Sequence, residues 1–164
     1  MIKWYRFHPG DRIGAPLVGK SLPHRAARRL ALVALIEPLE EDGTLVRRSR
    51  ELLEREITRF SVVEHDGMIV GCAALYPYGE DQAELACLAV HPHYRRWGYG
   101  EQLMKRIETR ARAVGIKRLF VLTTRTEHWF VERGFKLGTV DDLPAAKKEM
   151  YNYQRRSKVL FKTL

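Results

Sequence analysis

Cysteine is scarce in this chain. Two are present in 164 residues, Cys72 and Cys87, and both sit in apolar, strand-like runs. So low a count excludes a disulfide scaffold and fits a reducing compartment, which makes the cytoplasm the expected location. Long apolar runs are lacking as well. No stretch approaches the roughly 20 residues of a membrane-spanning helix, and the first residues hold no continuous apolar segment with a cleavage site. Neither an anchor nor a secretory leader is expected. There is no internal repeat, no low-complexity tract and no interdomain linker. Acidic residues are the minority, 20 against 29 basic ones, for a net charge of +9. Such a surplus suits nucleic acid, an acidic membrane surface or small anions. The arginines gather in short, separate clusters at 25–29, 47–50, 95–96 and 155–156. None is interleaved with aromatics in the manner of a nucleic-acid platform. Neither nucleic acid nor membrane is therefore expected as a partner. Separate clusters suit a phosphorylated cofactor and an acidic small-molecule substrate, and a solvated basic surface is the plain alternative. His91, His93 and His128 show no zinc spacing, so no metal is expected.

What is present is one domain's worth of alternating patterns. Hydrophobic residues make up 45% and charged residues 30%, ordinary values for a globular chain with a proper core. Residues 1–24 show no sustained period and read as an irregular arm, or as an edge strand near Trp4; residues 25–164 form the domain. Leu32, Leu35, Ile36 and Leu39 predict a first helix, stopped by Pro38 and Gly43. Ser49 is a good N-cap for a second helix through Phe60, with Leu53, Ile57 and Phe60 on one stripe. Asp66-Gly67 between apolar runs predicts a hairpin, and a turn near Gly79 leads into a strand over 82–90. A helix follows from Gly98 with Leu103, Ile107 and Ala111 on one face, capped by Gly115. The strand over 118–124 then requires a parallel crossover. A short helix stopping at Gly134, another through Met150 and a final strand near 157–161 complete an α/β chain: a mixed sheet with helices on both faces.

The most informative stretch is 88–102, LAVHPHYRRWGYGEQ. Glycines between a strand and a helix let the backbone approach a ligand, and amides at a helix N-terminus favour an anion. Arg95 and Arg96 add guanidinium forks. The pattern Arg-x-x-Gly-x-Gly after a strand ending in Val90 resembles the acetyl-CoA signature of the GNAT acetyltransferases. Together with ACLAVHPHYR, the phrases LVRRSRE, FVLTTR, HWF-xx-RGF and YNYQRRSKVL resemble the acetyltransferase domain of bacterial N-acetylglutamate synthases, from about Ala34 to the C-terminus. That resemblance implies the GNAT-like acyl-CoA N-acyltransferase fold, a mostly antiparallel sheet with one splayed parallel pair. It implies acetyl-CoA as co-substrate, held by Leu88, Ala89 and Val90 along pantetheine and by Arg95, Arg96, Trp97, Gly98, Tyr99 and Gly100 at the pyrophosphate. It implies L-glutamate as acceptor, with its carboxylates on Arg47 or Arg48 and on Arg155 with Ser157. Lys147 is a further candidate, and the Cys87 and Leu122 backbones would orient the substrate. The activity would be the committing step of arginine biosynthesis.

The chemistry agrees. Two carboxylates are best held by bidentate guanidinium groups, although a lone arginine is more often a solvated surface charge. A protonated α-amine is no nucleophile, so a base must take its proton. Glu84, three residues before Cys87, is the candidate, against the reading of a strand residue facing solvent. Many GNAT enzymes place an acid tyrosine where this chain has Phe130, which leaves Thr123 as a weaker donor. Cys87 reads as a small apolar strand residue rather than a nucleophile. His128 reads as part of a half-buried helix, and Tyr151 and Tyr153 as core. Other amine acceptors, a non-catalytic acetyl-CoA-binding module and a nucleic-acid binder remain as alternatives. Longer members of the resembled family carry an amino-acid-kinase-like domain in front. The chain has no room for one, so it is a short form, an excised domain or a partial copy. Arginine feedback at such a domain is then not expected, and a homodimer is conceivable.

Overall fold

The computed structural model describes residues 1–6 and 24–164. The elements are β1 (Ile2–Arg6), α1 (His24–Glu41), α2 (Arg50–Glu56), β2 (Phe60–His65), β3 (Met68–Tyr78), β4 (Gln82–Val90), α3 (Tyr99–Ala113), β5 (Arg118–Thr123), α4 (Glu127–Val131), β6 (Lys136–Gly138), α5 (Ala145–Glu149) and β7 (Lys158–Thr163). The sheet is mixed, as the alternating pattern predicts, with strand order β1-β2-β3-β4-β5-β7-β6. β4 and β5 run parallel, whereas β1–β2, β2–β3, β5–β7 and β6–β7 are antiparallel. Of the arm expected over residues 1–24, Ile2–Arg6 forms the edge strand β1, and residues 7–23 lie outside the described residues.

The chain divides into two units, one of Met1–Ala74 with Cys87–Met104, the other of Leu75–Ala86 with Lys105–Leu164. The first is organised by the β2–β3 hairpin. Asp66 and Gly67 both take left-handed backbone, at φ 48° and 84°, the pair of positive values that a type I′ turn demands. The turn sets the register that buries Phe60, Val62, Val63, Val70 and Cys72. A β-branched side chain at Gly67 would carry the left-handed penalty, so Gly67→Val is expected to lower stability by about 1–2 kcal/mol, read as a lower urea midpoint with an unchanged slope.

Two helix boundaries differ from the sequence reading. Pro38 does not stop α1, which runs through it to Glu41. Proline withdraws its own donor and crowds the carbonyl four residues back, but it keeps its acceptor, and the Pro38 carbonyl takes the Asp42 amide at 3.1 Å. α2 starts as predicted, with the Ser49 side chain accepting the Leu52 amide at 3.2 Å. It ends early, tightening to a 3₁₀ turn over Ile57–Arg59. Phe60 opens β2 instead of closing the helix, because its fully buried ring belongs to the sheet core. β6, three residues long, has no counterpart in the sequence reading.

In the second unit the β5–β7 register runs the length of both strands, from Arg118 against Thr163 to Thr123 against Lys158. Its core holds Phe120, Leu143, Val159 and Phe161, with Tyr78, Leu122 and Tyr151 packed against them. The parallel pairing of β4 with β5 spans Gln82–Glu84 against Arg118–Phe120.

Candidate functional site

In the first unit the strand-to-helix passage is longer than the sequence suggested. After Val90 the chain makes a 3₁₀ turn over Pro92–Trp97, opened by His91, whose Nδ1 accepts the His93 amide at 3.3 Å. Gly98 then takes left-handed backbone, φ 77°, and α3 begins at Tyr99. The first intrahelical bond is from the Gln102 amide to the Gly98 carbonyl at 3.1 Å. By helix geometry the preceding first-turn amides lie outside the ladder and face whatever occupies the N-terminus. Arg95, Arg96, Trp97 and Gly98 are exposed, Gly100 is half-buried and Tyr99 is buried. The Tyr99 hydroxyl lies 2.6 Å from His65 Nδ1 at the end of β2. That bond fixes the start of α3 to the hairpin. Leu88 and Val90 are half-buried and Ala89 is buried, the alternation of a strand with one face covered.

Cys87 breaks that strand. Its φ is 51°, left-handed backbone that costs an ordinary residue about 1–2 kcal/mol. Its carbonyl accepts from the Cys72 thiol at 3.3 Å. Burial pushes the Cys72 thiol well up, Cys87 adds to the shift, and the Arg48 charge works against it. Arg48 itself is half-buried. Its backbone amide donates to Glu40 at 2.9 Å and its Nη1 to the Val46 carbonyl at 3.0 Å. Arg47 is exposed.

The second unit gathers the proton-handling candidates. Glu84 is not a solvent-facing strand residue: it is buried, and its carboxylate sits 2.7 Å from the Lys147 ammonium of α5. Lys147 also lies 5.8 Å from the Tyr78 ring. Two residues read from the sequence as base and substrate holder are thus partners of each other. Because β5 and β7 are antiparallel and Thr123 faces Lys158, Leu122, Thr123 and Ser157 come to the same strand ends. Ser157 is buried, and its carbonyl accepts the Tyr151 hydroxyl at 2.5 Å. Arg155 is half-buried and its amide donates to the Asn152 carbonyl at 3.2 Å. The Thr123 hydroxyl accepts the Thr126 amide at 3.0 Å and shares a 2.8 Å bond with the Thr126 hydroxyl. It is tied into the turn that starts α4.

Phe130, at the position of the usual tyrosine, is buried edge-on between Trp129 and Phe135. The helix that carries His128 is half-buried as expected, through Phe130, with the His128 side chain itself 87% exposed; Tyr153, expected in the core, is instead 69% exposed. Tyr153 stands edge-on to Tyr151, which itself packs on the core. A cleft of about 440 Å³ at the β6–β7 side, lined by Arg118, Lys136, Asp142, Phe161 and Lys162 among others, includes none of the predicted site residues. Among the described residues no group of three or more metal ligands converges, and no helix is long and apolar enough to cross a membrane.

The sequence matches the family model of the GNAT acetyltransferases over residues 25–135. An amino-acid acetyltransferase of Ralstonia nicotianae is 65% identical over 134 residues, 81% of this chain and 30% of that protein. One from Pseudomonas syringae pv. syringae is 63% identical over 134 residues, 81% of this chain and 31% of its own length. The crystal structure of N-acetylglutamate synthase from Neisseria gonorrhoeae, complexed with coenzyme A and N-acetylglutamate, superposes with a TM-score of 0.83 at 42% identity. That match covers 100% of this chain and 35% of the synthase. The chain thus spans about a third of the length of these relatives.

Proposed function

The chain belongs to the GNAT acetyltransferase family, and from that premise we propose that it transfers the acetyl group of acetyl-CoA to the α-amine of L-glutamate. The amine attacks the thioester directly, with no covalent enzyme intermediate. The observation that carries this reading is the buried Glu84–Lys147 pair at 2.7 Å. It offers a carboxylate to an ammonium and an ammonium to a carboxylate, the two ends of an α-amino acid. The amino-acid acetyltransferases that this chain resembles support the same substrate class, and the synthase structure holding coenzyme A with N-acetylglutamate supports the acceptor.

In this reading the amides from Arg96 to Gly100 hold the pyrophosphate, with charge from Arg95 and Arg96. The Leu88–Val90 edge takes pantetheine. Glu84 removes the amine proton, directly or through a water. Carboxylate recognition falls to Arg155 with Ser157, to Lys147 and to Arg48, with the Cys87 and Leu122 backbones orienting the amine and α-carboxylate. Arg48 is preferred over exposed Arg47 because it is half-buried. Pinned carboxylates supply proximity, the main source of acceleration here. The strand amides near Cys87 stabilise the oxyanion. The Thr123 hydroxyl is already tied to Thr126, sharing a bond with its hydroxyl and accepting its amide, so in this reading the coenzyme A thiolate leaves without a committed acid.

Coenzyme A release from acetyl-CoA, measured with L-glutamate against other amino acids, spermidine and a peptide, tests the reading. Glutamate is expected to give the highest kcat/KM. Arg48→Ala and Arg155→Ala should each raise the glutamate KM by about 10- to 100-fold, the worth of a hydrogen bond to a charged group, with the KM for acetyl-CoA unchanged. Arg47→Ala should stay within about twofold, as surface charges do. A different preferred acceptor would overturn the glutamate assignment and leave the cradle standing.

A further inference from the structure

Trp97 is conspicuous on the cradle. Its indole is 56% exposed, yet it is not loose. It stands edge-on to the His65 ring at 5.1 Å and 88°, tilted to Tyr94 at 5.4 Å, and near-parallel to Tyr99 at 6.3 Å and 22°. Tyr99 is buried and bonded through its hydroxyl to His65. Three rings thus fix the indole while more than half of its surface faces solvent. A loop needing only charge for phosphates has that from Arg95 and Arg96.

Resting on the acetyl-CoA reading above, we propose that the Trp97 indole is the stacking platform for the adenine ring of that cofactor. Adenine is the one aromatic group acetyl-CoA carries. With pantetheine along Leu88–Val90 in the reading above, the adenosine would extend from the far end of the pyrophosphate, and the exposed Trp97 of the 3₁₀ turn would be the ring available to it. A pre-fixed ring loses little freedom on stacking. Aromatic stacking is tolerant of base orientation because every base presents a π-face. Arg95 and Arg96, on the same turn, supply charge for the ribose 3′-phosphate. Trp97 then serves to separate full acetyl-CoA from shorter acetyl-pantetheine thioesters.

Calorimetric titration of the full chain with acetyl-CoA and with acetyl-4′-phosphopantetheine, which lacks the adenosine, tests this. Trp97→Ala should weaken acetyl-CoA by about tenfold and Trp97→Phe by no more than about threefold, in line with stacking on a smaller ring. Neither should change the Kd of the phosphopantetheine thioester. Acetyl-CoA should also quench indole emission in the parent chain, and the quench should vanish in Trp97→Phe although Trp4 and Trp129 remain. Equal weakening of both ligands by Trp97→Ala would overturn the proposal and make the indole a brace for the loop. Unchanged acetyl-CoA affinity in Trp97→Ala would overturn it too, with acetyl-CoA binding itself left intact. Absence of acetyl-CoA binding by the parent chain would instead overturn the cofactor reading, and this proposal with it.

Discussion

Glu84→Gln is expected to lower kcat by about 10²- to 10⁴-fold, the usual contribution of a positioned general base. Acetyl-CoA affinity should hold. Glutamine keeps the shape of the side chain and removes its ability to take a proton. The carboxylate is buried and lies 2.7 Å from Lys147, so the substitution also strands an ammonium that is itself only 18% exposed. Breaking such a pair from one side costs about 3–5 kcal/mol where both groups are buried, and less here where water reaches the lysine. Stability and turnover therefore both fall, and a second variant separates them. In Glu84→Gln/Lys147→Met the stranded charge is gone, so the thermal midpoint should recover; Lys147 is also a proposed carboxylate holder, so the glutamate KM should rise in this variant while kcat stays as low as in Glu84→Gln. Steady-state kinetics with glutamate and a melting curve measure the two. A kcat within about threefold of the parent would remove Glu84 as the base, since a positioned general base typically contributes about 100-fold or more.

The largest stability loss is expected from Phe120→Ala, about 3–5 kcal/mol, a large share of the roughly 5–15 kcal/mol that holds a domain of this size. The ring is fully buried, 5.6 Å from Tyr78 and 6.1 Å from Phe161, with Leu143 and Val159 completing its surroundings. It faces Glu84 across the parallel register and precedes Leu122 and Thr123 on the same strand. Removing it opens a cavity under the strand that presents the substrate-side backbone. Urea unfolding at 25 °C checks the figure. A loss under about 1.5 kcal/mol would mean that Tyr78 and Phe161 collapse into the space.

Much of the fold was readable wherever a single residue controls the backbone. Asp66-Gly67 set the hairpin, Ser49 the start of α2, and Gly43 and Gly115 the ends of α1 and α3. The core stripe Leu103, Ile107 and Ala111 is buried as its spacing required. The unread parts have no local signal. Three residues of β6 are too few to carry a period. Pro38 reads as a stop because its carbonyl's continuing role in the helix is invisible in a string of letters. Cys87 takes left-handed backbone without being glycine, asparagine or aspartate, so nothing in its identity announces the break. The Glu84–Lys147 contact joins a strand to a five-residue helix far along the chain, and only tertiary structure brings them together. Sequence separates the two into different roles, and the fold makes them one pair.

That pair has a consequence for how an amino acid enters. Glu84 and Lys147 neutralise each other, so neither stands as a bare charge in the fold. An incoming α-amino acid is itself an internal salt. In the proposed reaction its ammonium would turn to Glu84 as its own carboxylate turned to Lys147. Two salts would exchange partners, with no lone ion carried out of water. Neutrality at rest would suit an acceptor that arrives as a zwitterion, where an uncompensated carboxylate would draw any passing cation.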